Sequence, residues 1–91
     1  MSRITESMVD GRVRLVNKML GIENPGRTVE GSIVTDRAYG GTRIDQITQG
    51  GHNPLSSGYG TSREAYLFLG GIMTGLRIGA ERREIMRGNV R

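Results

Sequence analysis

The segment that joins a glycine-rich loop to a helix start carries the most specific chemical signal in this sequence. It spans residues 57–63 and reads SGYGTSR. The free N–H groups of a first helical turn carry partial positive charge, and glycine lets backbone approach a phosphate closely. The segment therefore predicts an anion site, although it lacks the Gly-Lys-Ser/Thr of a Walker motif. Its ligand-binding residues would be Gly60, Thr61, Ser62 and Arg63. The alternative interpretation is a plain loop before a capped helix.

Two of the four aromatic residues stand beside glycines in predicted turns. An exposed ring in such a place can stack on a nucleobase, a contact worth ~1–3 kcal/mol, whereas a turn is a poor place for core packing. We therefore predict a nucleotide pocket in which Tyr39 or Tyr59 stacks on the base. Gly40, Gly41 and Arg43 would line its wall. The alternative is that both rings cover the edge of a small core.

The sequence offers little for catalysis. It has no cysteine and a single histidine, which excludes thiolate chemistry and leaves no pair of histidines for a metal. His52 lies in a predicted glycine-rich loop with no neighbouring motif to orient it. Nothing distinguishes the carboxylates of Asp36 and Asp45 from ordinary surface charge. We predict a protein that is not an enzyme and that uses no metal and no cofactor.

The charge balance favours anionic partners. The chain of 91 residues carries 13 Lys and Arg against 9 Asp and Glu, a net charge of +4, and all but one of the 13 are arginine. Arginine binds phosphate and carboxylate in a bidentate fashion, although a GC-rich genome, which favours arginine, would give the same bias. Residues 77–91 hold five arginines against two glutamates. That end predicts additional phosphate contacts from Arg82, Arg83 and Arg87, or a solvated helix end that suits the helix dipole.

Length and patterning predict one small α+β domain located in the cytoplasm. A chain this short buries only a small core. Its longest run of apolar residues and glycines, 65–73, is too short to cross a membrane, and no signal-peptide core follows the N-terminus. Spacing and turn signals predict five segments. They are a helix at about 4–20, a hairpin of short strands at about 27–35, a short helix at 43–49, a glycine-rich loop at 50–60, and a helix at about 62–87.

The last helix is marked most clearly. Thr61 and Glu64 form a capping box, and apolar residues follow at helical spacing from Ala65. The helix also contains Gly71, Gly75 and Gly79 on one face, and each glycine costs about 1 kcal/mol relative to alanine. Such a strip lets another backbone approach closely. The neighbour would be either the first helix or a second copy of the chain, and we predict a homo-oligomer. A frayed or broken helix is the alternative.

Five segments follow one another along the chain. They are VRLVNKMLG at 13–21, AYGG at 38–41, the glycines at 50–51, TSREAY at 61–66 and GL at 75–76. Together they resemble a family of small phage and prophage proteins, in which a helix with an LN-x-x-x-G pattern, an AYGG turn, a double-glycine loop and a KRELY…GL helix follow in the same order. This sequence differs at Ser62, where the family has lysine, and at Ala65, where it has leucine.

That family resembles the Thoeris anti-defence proteins, oligomeric phage sponges that sequester cyclic ADP-ribose signals and, in some members, cyclic oligonucleotides. The resemblance implies a phage-encoded protein in the bacterial host cytoplasm that binds nucleotide second messengers without degrading them. It also implies that arginines and stacking aromatics hold the ligand between protomers. The residues leave two other functions open. One is a small DNA- or RNA-binding accessory protein that uses the C-terminal arginines, and the other is a purely structural oligomer held by the glycine strip.

Overall fold

The α+β class is confirmed. The computed structural model describes residues 3–88, with side chains through residue 86. The elements in chain order are α1 (Glu6–Met19), β1 (Ile33–Ala38), β2 (Gly41–Thr48), β3 (Gly51–Pro54) and α2 (Ser62–Gly88). The three strands form one antiparallel sheet in the order β1-β2-β3, and the two helices pack together against it.

Helix α1 begins and ends where its sequence requires. Thr5 is the N-cap, and its side chain accepts a hydrogen bond from the backbone N–H of Met8. At the other end Gly21 adopts a φ of 75°, and the N–H of Ile22 reaches back to the carbonyl of Asn17. This is a Schellman stop, which favours glycine because the left-handed backbone conformation strains other residues. The predicted end of the helix at Gly21 is therefore confirmed.

The hairpin of this fold lies later in the chain than predicted. Residues 27–31 form turns, and β1 pairs with β2 in a register that places Ala38 opposite Gly41. Tyr39 and Gly40 between them have φ of 54° and 73°, which is the two-residue turn that suits the right-handed twist of a hairpin. The AYGG segment thus joins two strands instead of ending one.

The short helix predicted at 43–49 is wrong, since these residues belong to β2. The spacing of Ile44 and Ile47 suggested a helical face, but in a strand an odd spacing puts two side chains on opposite faces. Ile44 joins the core beneath the helices, whereas Ile47 is buried on the other side of the sheet.

The predicted loop at 50–60 is wrong in its first part, which forms β3. The rest continues along the same edge of β2 through further hydrogen bonds. Leu55 N–H donates to the carbonyl of Ile44, and Gly60 exchanges two backbone hydrogen bonds with Thr42. The segment before α2 is therefore held against the sheet, which fixes where α2 begins.

The core lies between the sheet and the two helices. Val9 and Val16 of α1 meet Leu69 of α2, together with Ile33 and Ile44 of the sheet. The apolar stripe predicted for α2 is confirmed, because its residues are buried or packed against this cluster. That stripe consists of Ala65, Leu69, Ile72 and Leu76.

A buried amide attaches α1 to the sheet. The Asn17 side chain donates from Nδ2 to the carbonyl of Ile33 at 2.9 Å and accepts from the Ile33 N–H at 2.8 Å. It therefore pairs with the edge strand β1 as another strand would, and leaves neither backbone group of Ile33 unpaired.

Neither helix has the length and the apolar composition of a membrane span within residues 3–88.

Candidate functional site

A row of polar and aromatic side chains covers the face of the sheet that lies opposite the helices. Strand pairing places Asp36 directly across from Arg43, and alternation along β2 puts Asp45 on the same face. His52 of β3 and Tyr59 of the following segment complete the row through hydrogen bonds to these carboxylates. We call these five residues the sheet cluster.

Asp45 is the centre of the sheet cluster, and its side chain is 0% exposed. Arg43 donates to it from Nε at 2.7 Å and from Nη2 at 2.9 Å, and His52 Nδ1 lies 3.1 Å from its Oδ2. Burial by itself raises the pKa of Asp45, but the hydrogen bonds from Arg43 and His52 outweigh burial and hold this pKa below its usual value. The hydrogen bond with Asp45 in turn raises the pKa of Arg43 against the lowering effect of burial. Asp45 is therefore an ionised carboxylate with partners on both oxygens.

Asp36 links this ion pair to the aromatic residues. Its Oδ2 accepts hydrogen bonds from the Tyr59 hydroxyl and from Arg43 Nη2. The hydrogen bond to Asp36 and the burial of the phenol together raise the pKa of Tyr59. The Arg43 guanidinium carbon lies 4.8 Å from the centre of the Tyr59 ring. Tyr59 is thus fixed at its hydroxyl and at one ring face.

Tyr39 is the opposite of a core residue. It is 94% exposed at the tip of the β1–β2 hairpin, and its ring contacts Tyr59 edge to face, with centroids 5.4 Å apart and an interplanar angle of 70°. Aromatic pairs prefer this arrangement. The alternative that both rings cover the edge of the core does not hold for Tyr39, which offers a free ring surface beside a ring that is held in place.

The two predicted binding segments do come together, and glycine makes this possible. Gly60 pairs with Thr42. A Cβ on Gly41 would lie 2.7 Å from the Tyr59 carbonyl oxygen and 3.0 Å from that of Gly60, so only glycine allows the hairpin turn to approach so closely. Gly40 has open space around it and serves the turn through its positive φ.

The predicted helix start is confirmed in its local geometry. Glu64 N–H donates to Thr61 Oγ1 at 3.0 Å, and Thr61 N–H donates to Glu64 Oε1 at 2.9 Å. The hydrogen bond from the Thr61 N–H to the carboxylate, helped by the Thr61 side chain, lowers the pKa of Glu64. The capping box satisfies two N–H groups of the first turn from within the chain, so an anion would have to bind the others. A surface pocket of about 330 Å³ lies there, lined by Arg3, Ile4, Thr61, Ser62 and Arg63.

The predicted arginines have different surroundings. Arg43 lies beside Tyr59 as expected, but its Nε and Nη2 are engaged by protein carboxylates. Arg82 and Arg83 are exposed on the second half of α2, beyond its last core contact at Leu76. The side chain of Arg87 lies outside the described residues, as does the whole of Arg91.

Sequence reasoning missed Asp36, Asp45 and His52. The argument that nothing orients His52 is wrong, because Asp45 binds its Nδ1. An ionised carboxylate only accepts, so Nδ1 carries the hydrogen and Nε2 is left for another partner. An alternating reading of residues 43–47 would have placed Arg43 and Asp45 on one face, but the helical interpretation of that segment hid the pattern.

The charges of the sheet cluster limit what it can bind. Two carboxylates stand against one guanidinium, so with a neutral His52 the cluster is net negative. A flat uncharged ring is compatible with this surface through Tyr39, whereas a phosphate is better placed at the helix start with Arg3 and Arg63. Among the described residues, no group of three or more His, Cys, Asp or Glu side chains is arranged to hold a metal ion.

Comparisons with known proteins add no assignment. No family model matches the chain. No curated protein matches it either, and no solved structure does.

Proposed function

We propose that this protein binds a nucleotide by stacking its base on Tyr39, and that it releases the ligand chemically unchanged. The exposed ring of Tyr39 is the observation that carries the proposal. Exposing an aromatic ring to water costs free energy that a stacked base recovers. The contact with Tyr59, itself held by Asp36 and Arg43, restricts the ring before the ligand arrives and so reduces the entropy lost on binding.

The phosphates of this ligand belong at the start of α2. Arg3 and Arg63 border the pocket there, and the dipole of the helix favours negative charge at that end. The ligands we propose are cyclic ADP-ribose isomers and cyclic oligonucleotides, which are the second messengers implied by the family resemblance. In that role the protein would act as a phage-encoded sponge in the cytoplasm of the bacterial host.

A pair of substitutions at one position tests the stacking contact. Tyr39→Phe keeps the ring, whereas Tyr39→Asn removes it and retains a residue that tolerates positive φ before glycine. Calorimetric titration with cyclic ADP-ribose isomers and cyclic di- and trinucleotides should give equal affinity for the wild type and Tyr39→Phe. Tyr39→Asn should bind about five- to 150-fold more weakly, which corresponds to ~1–3 kcal/mol of lost stacking. Absence of heat with every ligand, or equal binding by Tyr39→Asn, would refute the proposal.

The fate of the ligand separates a sponge from an enzyme. A complex that is heat-denatured after long incubation should return the nucleotide intact. A hydrolysed product that disappears in His52→Gln would instead assign catalysis to the His52–Asp45 pair. Retention on duplex DNA that depends on salt and weakens in Arg82→Gln/Arg83→Gln would support the nucleic-acid alternative.

A further inference from the structure

Helix α2 extends beyond the part of the protein that supports it. Its last buried residue is Leu69 and its last core contact is Leu76. From Arg77 to Met86 every residue is exposed except Gly79, which is half-buried. A helical stretch of this length is marginal in water without packing, and glycine weakens it further. Within residues 3–86, whose side chains the structure describes, the fold of one chain therefore gives the second half of α2 no core contact beyond Leu76.

One face of α2 is apolar and open. Leu67, Ile78 and Ile85 are 58%, 55% and 64% exposed, and helical geometry puts all three on one side at spacings of 11 and 7 residues. A Cβ added at Gly71 or Gly75, on the same side, would meet no atom within 4 Å. We call these five residues, with Thr74 between them, the open face of α2.

The first helix does not cover this face. Its neighbour on α2 is Gly70, where an added Cβ would lie 2.5 Å from Arg12 Nη1. Arg12 lies across α2 at that point, donating to the Tyr66 carbonyl and stacking on the Tyr66 ring. The glycine strip was predicted to contact either the first helix or a second copy of the chain. The first helix is therefore excluded as the neighbour of Gly71 and Gly75.

We propose that the open face of α2 packs antiparallel against the same face of a second copy, with Ile78 close to the two-fold axis. The face is complementary to itself about Ile78, because the exposed side chain of Ile85 and the gap at Gly71 each lie seven residues from Ile78, on opposite sides of it. About an axis at Ile78, the side chain of Ile85 meets the gap at Gly71 of the second copy. Knobs that fill such gaps are the usual packing of paired helices, and a two-fold pair is the commonest homo-oligomer.

Charge decides the direction of the pair. The second half of α2 is basic, with Arg77, Arg82 and Arg83 against Glu81 and Glu84 in the described residues. A parallel pair would place the two basic ends side by side. The antiparallel pair separates them and brings Arg77 of each copy opposite Glu81 of the other, while within one chain these two side chains form only a long, exposed contact of 3.8 Å.

The first experiment measures the mass in solution. Light scattering should give the wild type at twice the mass of the chain, or at an even multiple. Ile78→Glu should raise the dissociation constant at least tenfold without unfolding the chain, since Ile78 has no core contact to lose. Ala80→Glu introduces the same charge on the opposite side of α2 and should leave the mass unchanged. A monomeric wild type, or equal effects of the two variants, would overturn the proposal.

The second experiment tests whether the two helices pack antiparallel. Because the sequence has no cysteine, an introduced cysteine can form a disulfide only with its copy in the other chain. Ile78→Cys should form a disulfide-linked dimer on mild oxidation, because the two positions meet at the axis. Ile85→Cys should not, since its two copies lie 14 residues apart along the helices, roughly 20 Å. Efficient cross-linking of both variants would show that the two helices are parallel. Cross-linking of neither variant would show that this face does not form the interface. Ala80→Cys, on the opposite side of α2, is the control that measures cross-linking by random collision.

Discussion

Replacement of the buried carboxylate by an amide, Asp45→Asn, tests the reasoning about the sheet cluster. The substitution keeps the shape but removes the charge that balances Arg43. The amide oxygen, in the position of Oδ1, can still accept from Arg43 Nε. The amide nitrogen is a donor, and in the position of Oδ2 it opposes both Arg43 Nη2 and His52 Nδ1, which contact that oxygen in the wild type.

The magnitude follows from what Arg43 retains. Removal of one partner from a buried ion pair typically costs about 3–5 kcal/mol. Here Asp36 stays 3.3 Å from Arg43 Nη2, and the Arg43 side chain is 21% exposed to water. Because Arg43 keeps one carboxylate and some water, we expect a smaller loss than for a fully buried pair, about 2–4 kcal/mol in the free energy of unfolding. For a domain of this size, the midpoint of thermal unfolding would fall by roughly 10–30 °C.

The pH dependence gives the sharper test. Because folding lowers the pKa of Asp45, its contribution to stability is present above the unfolded pKa and is lost as the pH falls through the folded value. Urea unfolding should show a large gap between wild type and Asp45→Asn at pH 7. That gap should begin to narrow as the pH drops below about 4, the ordinary pKa of an aspartate in the unfolded chain, and should be lost once the pH has fallen through the lower folded value.

A matched variant separates this effect from a general loss of charge. Asp10→Asn also removes a carboxylate paired with arginine, but the Asp10 side chain is 45% exposed. It should cost less than about 1 kcal/mol. The reasoning would be refuted if Asp45→Asn cost no more than Asp10→Asn, or if the gap between wild type and Asp45→Asn were the same at every pH.

Two further substitutions test how the fold positions the site. Asn17→Leu should cost about 2–4 kcal/mol in urea unfolding, because it leaves the N–H and carbonyl of Ile33 unpaired in the interior, whereas Asn53→Leu on exposed β3 should be near neutral. Gly41→Ala should lower the unfolding midpoint and weaken nucleotide binding, since the new Cβ collides with the Tyr59 backbone. In the control variant Gly71→Ala the added Cβ meets no atom within 4 Å outside its own helical turn, so nucleotide binding should not weaken. Weaker binding in both variants would contradict the explanation given for Gly41.

These tests also separate the two proposals. Nucleotide binding rests on Tyr39 and the start of α2, while pairing of two copies rests on the open face around Ile78. Ile78→Glu can abolish the dimer and leave the titration unchanged, and Tyr39→Asn can do the reverse. If Ile78→Glu also removed binding, the ligand site would need both copies, as the family resemblance implies.

Elements with local signals could be predicted from the sequence. Gly21 marks the end of α1, the capping box of Thr61 and Glu64 marks the start of α2, and the apolar stripe from Ala65 marks its buried face. Each of these depends on hydrogen bonds or side-chain spacing within a few residues. Such signals can be read without knowing where the rest of the chain lies.

Local signals could not show how residues 33–60 are arranged or which side chains they bring together. Strand pairing is a contact between distant residues, and the spacing of Ile44 and Ile47 fits a helix as well as a strand with two buried faces. Once β2 lies between β1 and β3, Arg43 and Asp45 share a face with Asp36 and His52. Pairing of the strands, and no local pattern, therefore joins His52 and Asp36 into a network around the buried carboxylate of Asp45, beside the exposed ring of Tyr39.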